Sequence, residues 1–104
     1  MTLDLTLQAL ADPTRRALLA RLLEGPATVN ELAEPHALTL PTVSRHIATL
    51  ERAGLVTKGR EAQWRPCRLA AAPLRELDAW LTPYRAYFET RLDRLEAHLD
   101  QETP

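Results

Sequence analysis

The chain of 104 residues contains little cysteine, glycine or aromatic residue, and it has no long hydrophobic run. Its 1 cysteine cannot form an internal disulfide, so we expect a reducing compartment. No apolar run approaches the ~20 residues that a membrane-spanning helix needs. The 3 glycines form no phosphate-cradling loop, and no nucleophile motif surrounds Ser44, His46 or Cys67. We therefore expect neither a membrane protein nor an enzyme.

The start of the chain, MTLDLTLQAL, lacks the basic region and the small-residue cleavage site of a secretory signal, so we expect a cytoplasmic protein. The potential metal ligands are scattered singly, whereas a tetrahedral zinc site needs three or four convergent ligands. These single residues are His36, His46, His98 and Cys67. We expect no metal and no cofactor.

The net charge of −1 hides an uneven distribution. Residues 41–68 carry six cationic and two anionic side chains, a charge of +4, while residues 1–40 carry −2 and residues 69–104 carry −3. A basic middle between acidic ends is expected if one surface faces a polyanion and the rest keeps the protein in solution. The alternative is a chance scatter of charges.

Proline, glycine and capping residues divide the first half of the chain into short helices. The pattern predicts a first helix over 3–11, a second over 13–24 and a third over 28–35. Asp12 before Pro13 is an N-cap followed by the residue best tolerated at the first helical position. The second helix should bury its leucines, Leu18, Leu19, Leu22 and Leu23.

The stretch PTVSRHIATLERAGL, residues 41–55, predicts a fourth helix that begins after Thr39 and ends at Gly54. At 100° per residue, its apolar residues lie within about 60° of each other and should face the core. They are Val43, Ile47 and Leu50. The opposite side carries Pro41, Arg45, Ala48 and Arg52, flanked by Thr42, Ser44 and Thr49.

After Gly54, the segment LVTKGREAQWRPCRL mixes strand-forming residues with a break at Glu61-Ala62, which predicts a two-stranded ribbon. We expect Trp64 in this ribbon to be a buried packing anchor.

Three basic side chains outside the ribbon have two interpretations each. His46 lies about 60° from the apolar centre of its helix, so it is either a packed histidine bonded to a carbonyl or a DNA contact. Arg15 and Arg16 are expected to pair with acidic neighbours, and a phosphate contact is the alternative.

A helical pattern returns from Ala72 to about Asp100, and Pro83 should bend or break it. Its apolar stripe would form a large exposed patch if nothing covered it, so we expect it to pair with the first helix and with a second copy of the chain. The alternative is that the stripe folds back on its own domain. The candidate dimer-interface residues are Leu3, Leu7, Leu10, Tyr84, Tyr87, Phe88, Leu92, Leu95 and Leu99.

A short helix, a tight turn and a second helix with a free outer face form a helix-turn-helix, and a following basic ribbon makes it winged. The predicted fold is mainly α with a small β-wing and a long C-terminal helix in a dimer interface. It is one domain over 1–104, with the helix-turn-helix over 28–54, the wing over 55–70, and dimerisation helices over 1–11 and 72–101.

Arginine can bridge guanine acceptors in the major groove, and serine or threonine can meet bases or phosphates, so we expect double-stranded DNA as a partner. The candidate DNA-binding residues are Thr39, Pro41, Thr42, Ser44, Arg45, His46, Thr49, Arg52, Lys58, Arg60, Gln63 and Arg65.

Three segments, LADPTRRALLARLLEG, LPTVSRHIATLERAGLV and REAQWRPCRL, resemble the ArsR-type winged helix-turn-helix repressors of bacteria, and the resemblance covers about residues 5–100. It implies a cytoplasmic homodimer that binds an imperfect promoter palindrome and represses transcription. Metal-sensing members carry a cysteine pair in the helix matching residues 28–35, which this chain lacks. The ligands that other members place on the last helix are reduced here to His98. Leu40 stands where many members have glutamine.

The resemblance therefore points to the subgroup without metal-ligand cysteines, with no effector evident from the residues. A function from another class stays open, namely a winged-helix module that binds a protein partner through its aromatic last helix.

Overall fold

The elements of the fold follow the capping and proline signals of the sequence. The structure is a computed structural model that describes residues 2–102, with side chains from Leu3 to Gln101. The ends of the predicted domain, Met1, Thr103 and Pro104, lie outside the described residues. In chain order the elements are α1 (Thr2–Leu10), α2 (Pro13–Leu22), α3 (Val29–Ala33), a 3-10 turn (Glu34–His36), α4 (Leu40–Arg52), β1 (Val56–Lys58), β2 (Cys67–Leu69) and α5 (Ala72–Glu102). The predicted mainly α fold with a two-stranded wing and a long last helix is confirmed.

Side-chain caps start three of the helices. The Asp12 carboxylate accepts hydrogen bonds from the amides of Thr14 and Arg15 at 2.8 and 3.1 Å. The bond from the Arg15 amide is the main reason why the pKa of Asp12 lies below its ordinary value. Thr28 forms a capping box at the start of α3, and the Thr39 hydroxyl accepts from the Thr42 amide at the start of α4. These caps fix where the helix-turn-helix begins and turns.

The core forms where the apolar sides of α2, α3, α4 and β1 meet. Val43, Ile47 and Leu50 are fully buried, as their spacing predicts. Leu18, Leu19 and Leu22 of α2 are buried as well, but Leu23 is 74% exposed, so the prediction that it is buried was wrong. The reason is that α2 ends at Leu22, and Leu23 is its C-cap residue rather than part of the buried side.

The wing is an antiparallel pair whose base is tied to the core. Val56 pairs with Leu69, and Lys58 pairs with Cys67. Cys67 also exchanges two backbone hydrogen bonds with Ala27, which precedes α3, at 2.8 and 3.1 Å. This second bridge holds the wing against the helix-turn-helix.

Trp64 lies in the turn at the tip of the wing, where its backbone exchanges two 2.9 Å hydrogen bonds with Glu61. The side chain is 43% exposed, so the prediction of a buried anchor was wrong. The tip extends beyond the strand pairing and leaves the ring outside the core. The Arg68 guanidinium covers the ring instead, at 5.7 Å from its centroid.

The last helix, α5, continues without interruption through Pro83, so of the predicted bend or break the break does not occur. A proline removes one backbone donor from a helix. Near it, the Thr82 hydroxyl and the Arg85 guanidinium both donate to the Asp78 carbonyl, at 3.4 and 3.3 Å. The rings of Trp80 and Tyr84 also meet across the proline at 5.0 Å. The helix packs against α1 and gives the molecule a longest dimension of 65 Å.

No helix among the described residues is both long enough and apolar enough to span a membrane.

Candidate nucleic-acid interface

The outer face of α4 carries cationic and hydroxyl side chains directly opposite the buried anchors. Arg45 and Arg52 are exposed, and Pro41 lies one turn before Arg45 on the same side. The hydroxyl residues at the flanks, Thr42, Ser44 and Thr49, are half-buried. Burial of the opposite side therefore presents this face to solvent.

The side chains of this face bond to their own helix. Arg45 Nε donates to the Pro41 carbonyl at 3.4 Å, and the Thr49 hydroxyl donates to the Arg45 carbonyl at 3.1 Å. Arg52 Nη2 lies 3.3 Å from the Thr49 hydroxyl oxygen. These exposed bonds are long for hydrogen bonds, so a phosphate or a base edge can replace them at small cost.

The cations of the wing fall into two groups. Lys58 lies 4.0 Å from the Glu51 carboxylate, and Arg68 lies 2.7 Å from Glu61. Arg60 and Arg65 are exposed and enter none of the ion pairs among the described residues. Together with Arg45 and Arg52 they give four guanidinium groups without a carboxylate partner in the described part of the chain.

A cleft of about 350 Å³ lies between α4 and the wing. Leu40 and Ser44 line it from α4, and Gln63 and Arg65 line it from the wing. Asn30 of α3 completes the wall and is a polar residue that the sequence pattern did not single out. The structure thus brings Ser44 of α4 together with Gln63 and Arg65 of the wing. Thr49 and Arg52 line the cleft on the other side of α4, toward α1. We call the outer side of α4 and the wing together the α4–wing face, and its candidate residues are Thr39, Pro41, Thr42, Ser44, Arg45, Thr49, Arg52, Lys58, Arg60, Gln63 and Arg65.

His46, at the side of α4, turns its ring toward α2. Its Nδ1 atom lies 3.4 Å from Arg15 Nη1. The carbonyl-bonded histidine of the sequence interpretation is therefore replaced by an arginine-bonded one.

Arg15 and Arg16 bond to the end of α1 instead of to carboxylates, so the predicted pairing with acidic side chains was wrong. Arg15 donates to the carbonyls of Ala9 and Gln8 at 2.7 and 3.1 Å, and Arg16 donates to the Leu10 carbonyl at 2.8 Å. The last carbonyls of a helix have no partner within it, and the α1–α2 corner places two guanidinium groups there.

The candidate dimer residues occupy α1 and the far part of α5. On α1, Leu7 is exposed, while Leu3 and Leu10 are half-buried, and Leu10 packs against the core. The stripe on α5 is between 46% and 60% exposed along its length. We call it the α5 stripe, formed by Tyr84, Tyr87, Phe88, Leu92, Leu95 and Leu99.

Cys67 is fully buried at the base of the wing, and burial raises the pKa of its thiol. Within the part of the chain that the structure describes, no three His, Cys, Asp or Glu side chains come together in a way that could hold a metal ion.

The comparison with known protein families identifies a helix-turn-helix domain in the first half of the chain. A family model described as a helix-turn-helix domain matches residues 10–58, from the end of α1 to β1. The HTH-type transcriptional regulator Rv2034 of Mycobacterium tuberculosis is 49% identical over 53 residues, which are 51% of this chain and 50% of that protein. The chain thus matches about half the length of that relative.

Other relatives match over most of their length. The transcriptional repressor SdpR of Bacillus subtilis is 30% identical over 74 residues, 71% of this chain and 82% of that protein. A crystal structure of an ArsR family transcriptional regulator superposes with a TM-score of 0.75 at 42% identity, covering 85% of this chain and 91% of that one.

A solution structure of a homodimeric winged helix-turn-helix DNA-binding domain from Mycobacterium bovis, a possible ArsR-family regulator, gives a TM-score of 0.66 at 26% identity. It covers 82% of this chain and 79% of that one. These similarities agree with the cap-defined helices, the two-stranded wing and the free outer face of α4. The chain belongs to the ArsR family of winged helix-turn-helix transcriptional regulators.

Proposed function

We propose that this protein is a homodimeric repressor that binds a promoter inverted repeat through two copies of the α4–wing face. The observation that carries the proposal is the orientation of α4. Its fully buried side points Arg45 and its hydroxyl neighbours outward, and one of these neighbours, Ser44, shares a cleft with Arg65 of the wing. An exposed helix beside a basic ribbon suits a major groove with its flanking phosphates.

The roles within the α4–wing face follow from position and pairing. We assign base contacts to Arg45, at the centre of the outer face of α4, and to the hydroxyl residues that flank it. Arg52, Arg60 and Arg65 are placed on phosphates, since each is exposed and unpaired. Lys58 is also placed on a phosphate, and this contact would replace its 4.0 Å ion pair with Glu51. His46 is placed outside this set because its Nδ1 faces Arg15.

The dimer rests on the α5 stripe. Six large apolar side chains, about half exposed, lie along a helix that extends beyond the rest of the domain. A contiguous apolar surface of this kind marks an association surface. The homodimeric state of the M. bovis domain supports the same arrangement here. A two-fold pair would set two α4 helices about one helical turn apart on an inverted repeat.

Repression is proposed because relatives such as SdpR are repressors. A bound dimer at a promoter would exclude RNA polymerase from the same stretch of DNA. A reporter gene behind the chain's own upstream region should be more active when the protein is absent.

The direct test is binding of the purified protein to a fluorescent duplex that carries an inverted repeat from its own upstream region. We expect the logarithm of the binding constant to fall with the logarithm of salt concentration at a slope of about −4 to −8, the value for neutralising roughly five to nine phosphates. A protein that stays monomeric at micromolar concentration and ignores the duplex at low salt contradicts the proposal.

Two variants and a control separate the assigned roles. Arg45→Ala should weaken binding to the inverted repeat by about tenfold or more and reduce preference at one base position in each half-site. Arg65→Ala should weaken binding to all duplexes alike and make the salt slope shallower by about 0.9 for each lost phosphate contact. Arg94→Ala changes the same charge on α5, outside the α4–wing face, and should leave DNA binding unchanged.

A further inference from the structure

Arg15 contacts two other helices through one guanidinium group. Among the described residues, no other guanidinium bonds to α1 and to α4. It is half-buried, and its Nε and Nη2 atoms donate to the carbonyls of Ala9 and Gln8 at 2.7 and 3.1 Å. Those carbonyls belong to the last turn of α1, whose oxygens lack partners within the helix. Two bonds fix the plane of the guanidinium group, because its donors form a rigid fork.

The third donor of this fork points at the DNA-facing helix. Arg15 Nη1 lies 3.4 Å from Nδ1 of His46, on the side of α4. A guanidinium group has donors and no acceptor, so the ring nitrogen must accept. Nδ1 can accept this bond only when the ring carries its proton on Nε2 alone. Protonation of the ring would remove the acceptor and bring two cations together.

The Arg15–His46 contact adds to a direct contact between α1 and α4, which leaves a gap on one side. A cleft of about 290 Å³ lies between them, lined by Leu5 and Gln8 of α1 and by Thr49 and Arg52 of α4. α1 itself packs against α5, the helix that carries the α5 stripe. Arg15 thus joins the helix pair of the proposed dimer interface to the helix that faces DNA.

We propose that Arg15 is a positioning residue for DNA binding, and that its bond to neutral His46 holds α4 at the angle to α1 that two half-sites require. The inference rests on the proposed DNA-binding function. Arg15 touches no DNA in this scheme. It sets the spacing and tilt of the two α4 helices of a dimer by linking each one to the α1–α5 pair.

The charged groups around the His46 ring determine the pH response. The Arg15 guanidinium faces it from α2, and the Asp12 carboxylate at the α1–α2 corner is close enough for His46 to contribute to its lowered pKa. From α1 come the Gln8 and Ala9 carbonyls, already bonded to Arg15. Arg45 precedes His46 on α4 and is exposed. A proton on the ring would thus face the Arg15 guanidinium on one side and the Asp12 carboxylate on the other.

The main experiment compares two arginine-to-lysine variants at the same corner. Arg15→Lys keeps the charge but replaces the three-way fork with one ammonium group, which cannot reach all three acceptors in the same geometry. We expect affinity for the inverted repeat to fall about tenfold, the equivalent of one lost charge-assisted hydrogen bond. Arg16→Lys is the matched control and should bind like the wild type, because among the described residues Arg16 bonds only to the Leu10 carbonyl and not to α4.

The salt slope separates positioning from direct contact. If Arg15 only positions α4, Arg15→Lys and the more severe Arg15→Gln keep the wild-type slope. If Arg15 bound a phosphate, Arg15→Gln would make the slope shallower by about 0.9 per protomer. Sedimentation and circular dichroism at the same concentrations check that the variants stay folded and dimeric. A shallower slope, or equal affinity of Arg15→Lys and Arg16→Lys, overturns the inference.

Two substitutions of His46 give a second test, and their single variants do not depend on whether the arginine variants fold. His46→Asn places Oδ1 near the position of Nδ1 and keeps an acceptor that does not titrate, so affinity should stay within about threefold of the wild type. His46→Leu has no acceptor and should lose about tenfold, with no further loss when it is combined with Arg15→Lys.

The direction in which DNA affinity changes with pH gives a third test, because a purely structural role of His46 would not produce it. When the pH is lowered from about 8 to about 5.5, wild-type affinity should fall relative to His46→Asn, because a proton on Nδ1 removes the acceptor for Arg15. Affinity that rises on acidification relative to His46→Asn would show a His46–phosphate contact and overturn the inference. Wild-type protein that binds no duplex at any pH overturns the proposed function and this inference together.

Discussion

The two faces of α4 should respond to alanine in opposite ways. Ile47 is fully buried, and Arg45 is exposed two residues away on the other side. Ile47→Ala removes the Cγ1, Cγ2 and Cδ1 atoms from the core, which costs about 0.8 kcal/mol per group in transfer free energy plus the cost of the cavity. We expect the free energy of unfolding to fall by about 2–5 kcal/mol, a large part of the roughly 5–15 kcal/mol typical of a domain.

Arg45→Ala should change the free energy of unfolding by less than about 0.5 kcal/mol, because the side chain bonds only to its own helix from an exposed position. The effects on DNA are reversed. Arg45→Ala should weaken binding by about 1–3 kcal/mol, and folded Ile47→Ala should keep most of its affinity.

Urea unfolding at one fixed protein concentration measures the stability of both variants, since dimerisation makes stability depend on concentration. With a slope of about 1–3 kcal/mol per molar urea, the midpoint for Ile47→Ala should move by about 0.7 M or more. A loss below about 1 kcal/mol for Ile47→Ala, or a larger loss for Arg45→Ala than for Ile47→Ala, would refute the assignment of the two faces.

Three further predictions concern the backbone, the caps and the thiol. Ala37 has a φ of 52°, a conformation that favours glycine, so Ala37→Gly should raise the free energy of unfolding by about 0.5–1 kcal/mol in thermal unfolding. Ala48→Gly inside α4 is the comparison and should lower the free energy of unfolding by about 1 kcal/mol. Equal losses for Ala37→Gly and Ala48→Gly would contradict backbone strain at Ala37. The Asp12 carboxylate has a lowered pKa in the folded state, so its contribution to stability is present above the unfolded pKa of about 4 and is lost as the pH falls through the lower folded value. Asp12→Asn should therefore flatten the acid limb of a pH–stability curve, and an unchanged limb would count against the cap. Cys67 is fully buried with a raised pKa, so iodoacetamide should label it slowly in the native state and quickly in urea, whereas fast native labelling would mean an open wing base.

The pattern of apolar and capping residues was sufficient to predict the helix-turn-helix. Val43, Ile47 and Leu50 repeat at helical spacing, and Asp12, Thr28 and Thr39 are local caps, so short-range chemistry determines these elements. The wing strands were predictable for the same reason, from strand-forming residues on both sides of a turn.

The errors arose where the outcome depends on three-dimensional contacts that a pattern of residue types does not specify. Pro83 is a helix breaker by its local chemistry, yet Thr82, Arg85 and the Trp80–Tyr84 ring contact surround it within a continuous helix. Trp64 is a residue type that is usually buried, but it lies at the tip of the wing, which does not contact the core. Arg15 has acidic residues nearby in sequence, but the α1–α2 corner offers it the carbonyls at the end of α1 and the His46 ring, which no spacing rule reveals.

The most direct measurement of the central claim is the amide spectrum of isotope-labelled protein titrated with the inverted-repeat duplex. If the α4–wing face binds DNA, the largest shifts should fall on Arg45, Thr49, Arg60 and Arg65, with the far part of α5 nearly unchanged. Shifts confined to α5, or a spectrum that does not change when duplex is added at low salt, would contradict the account.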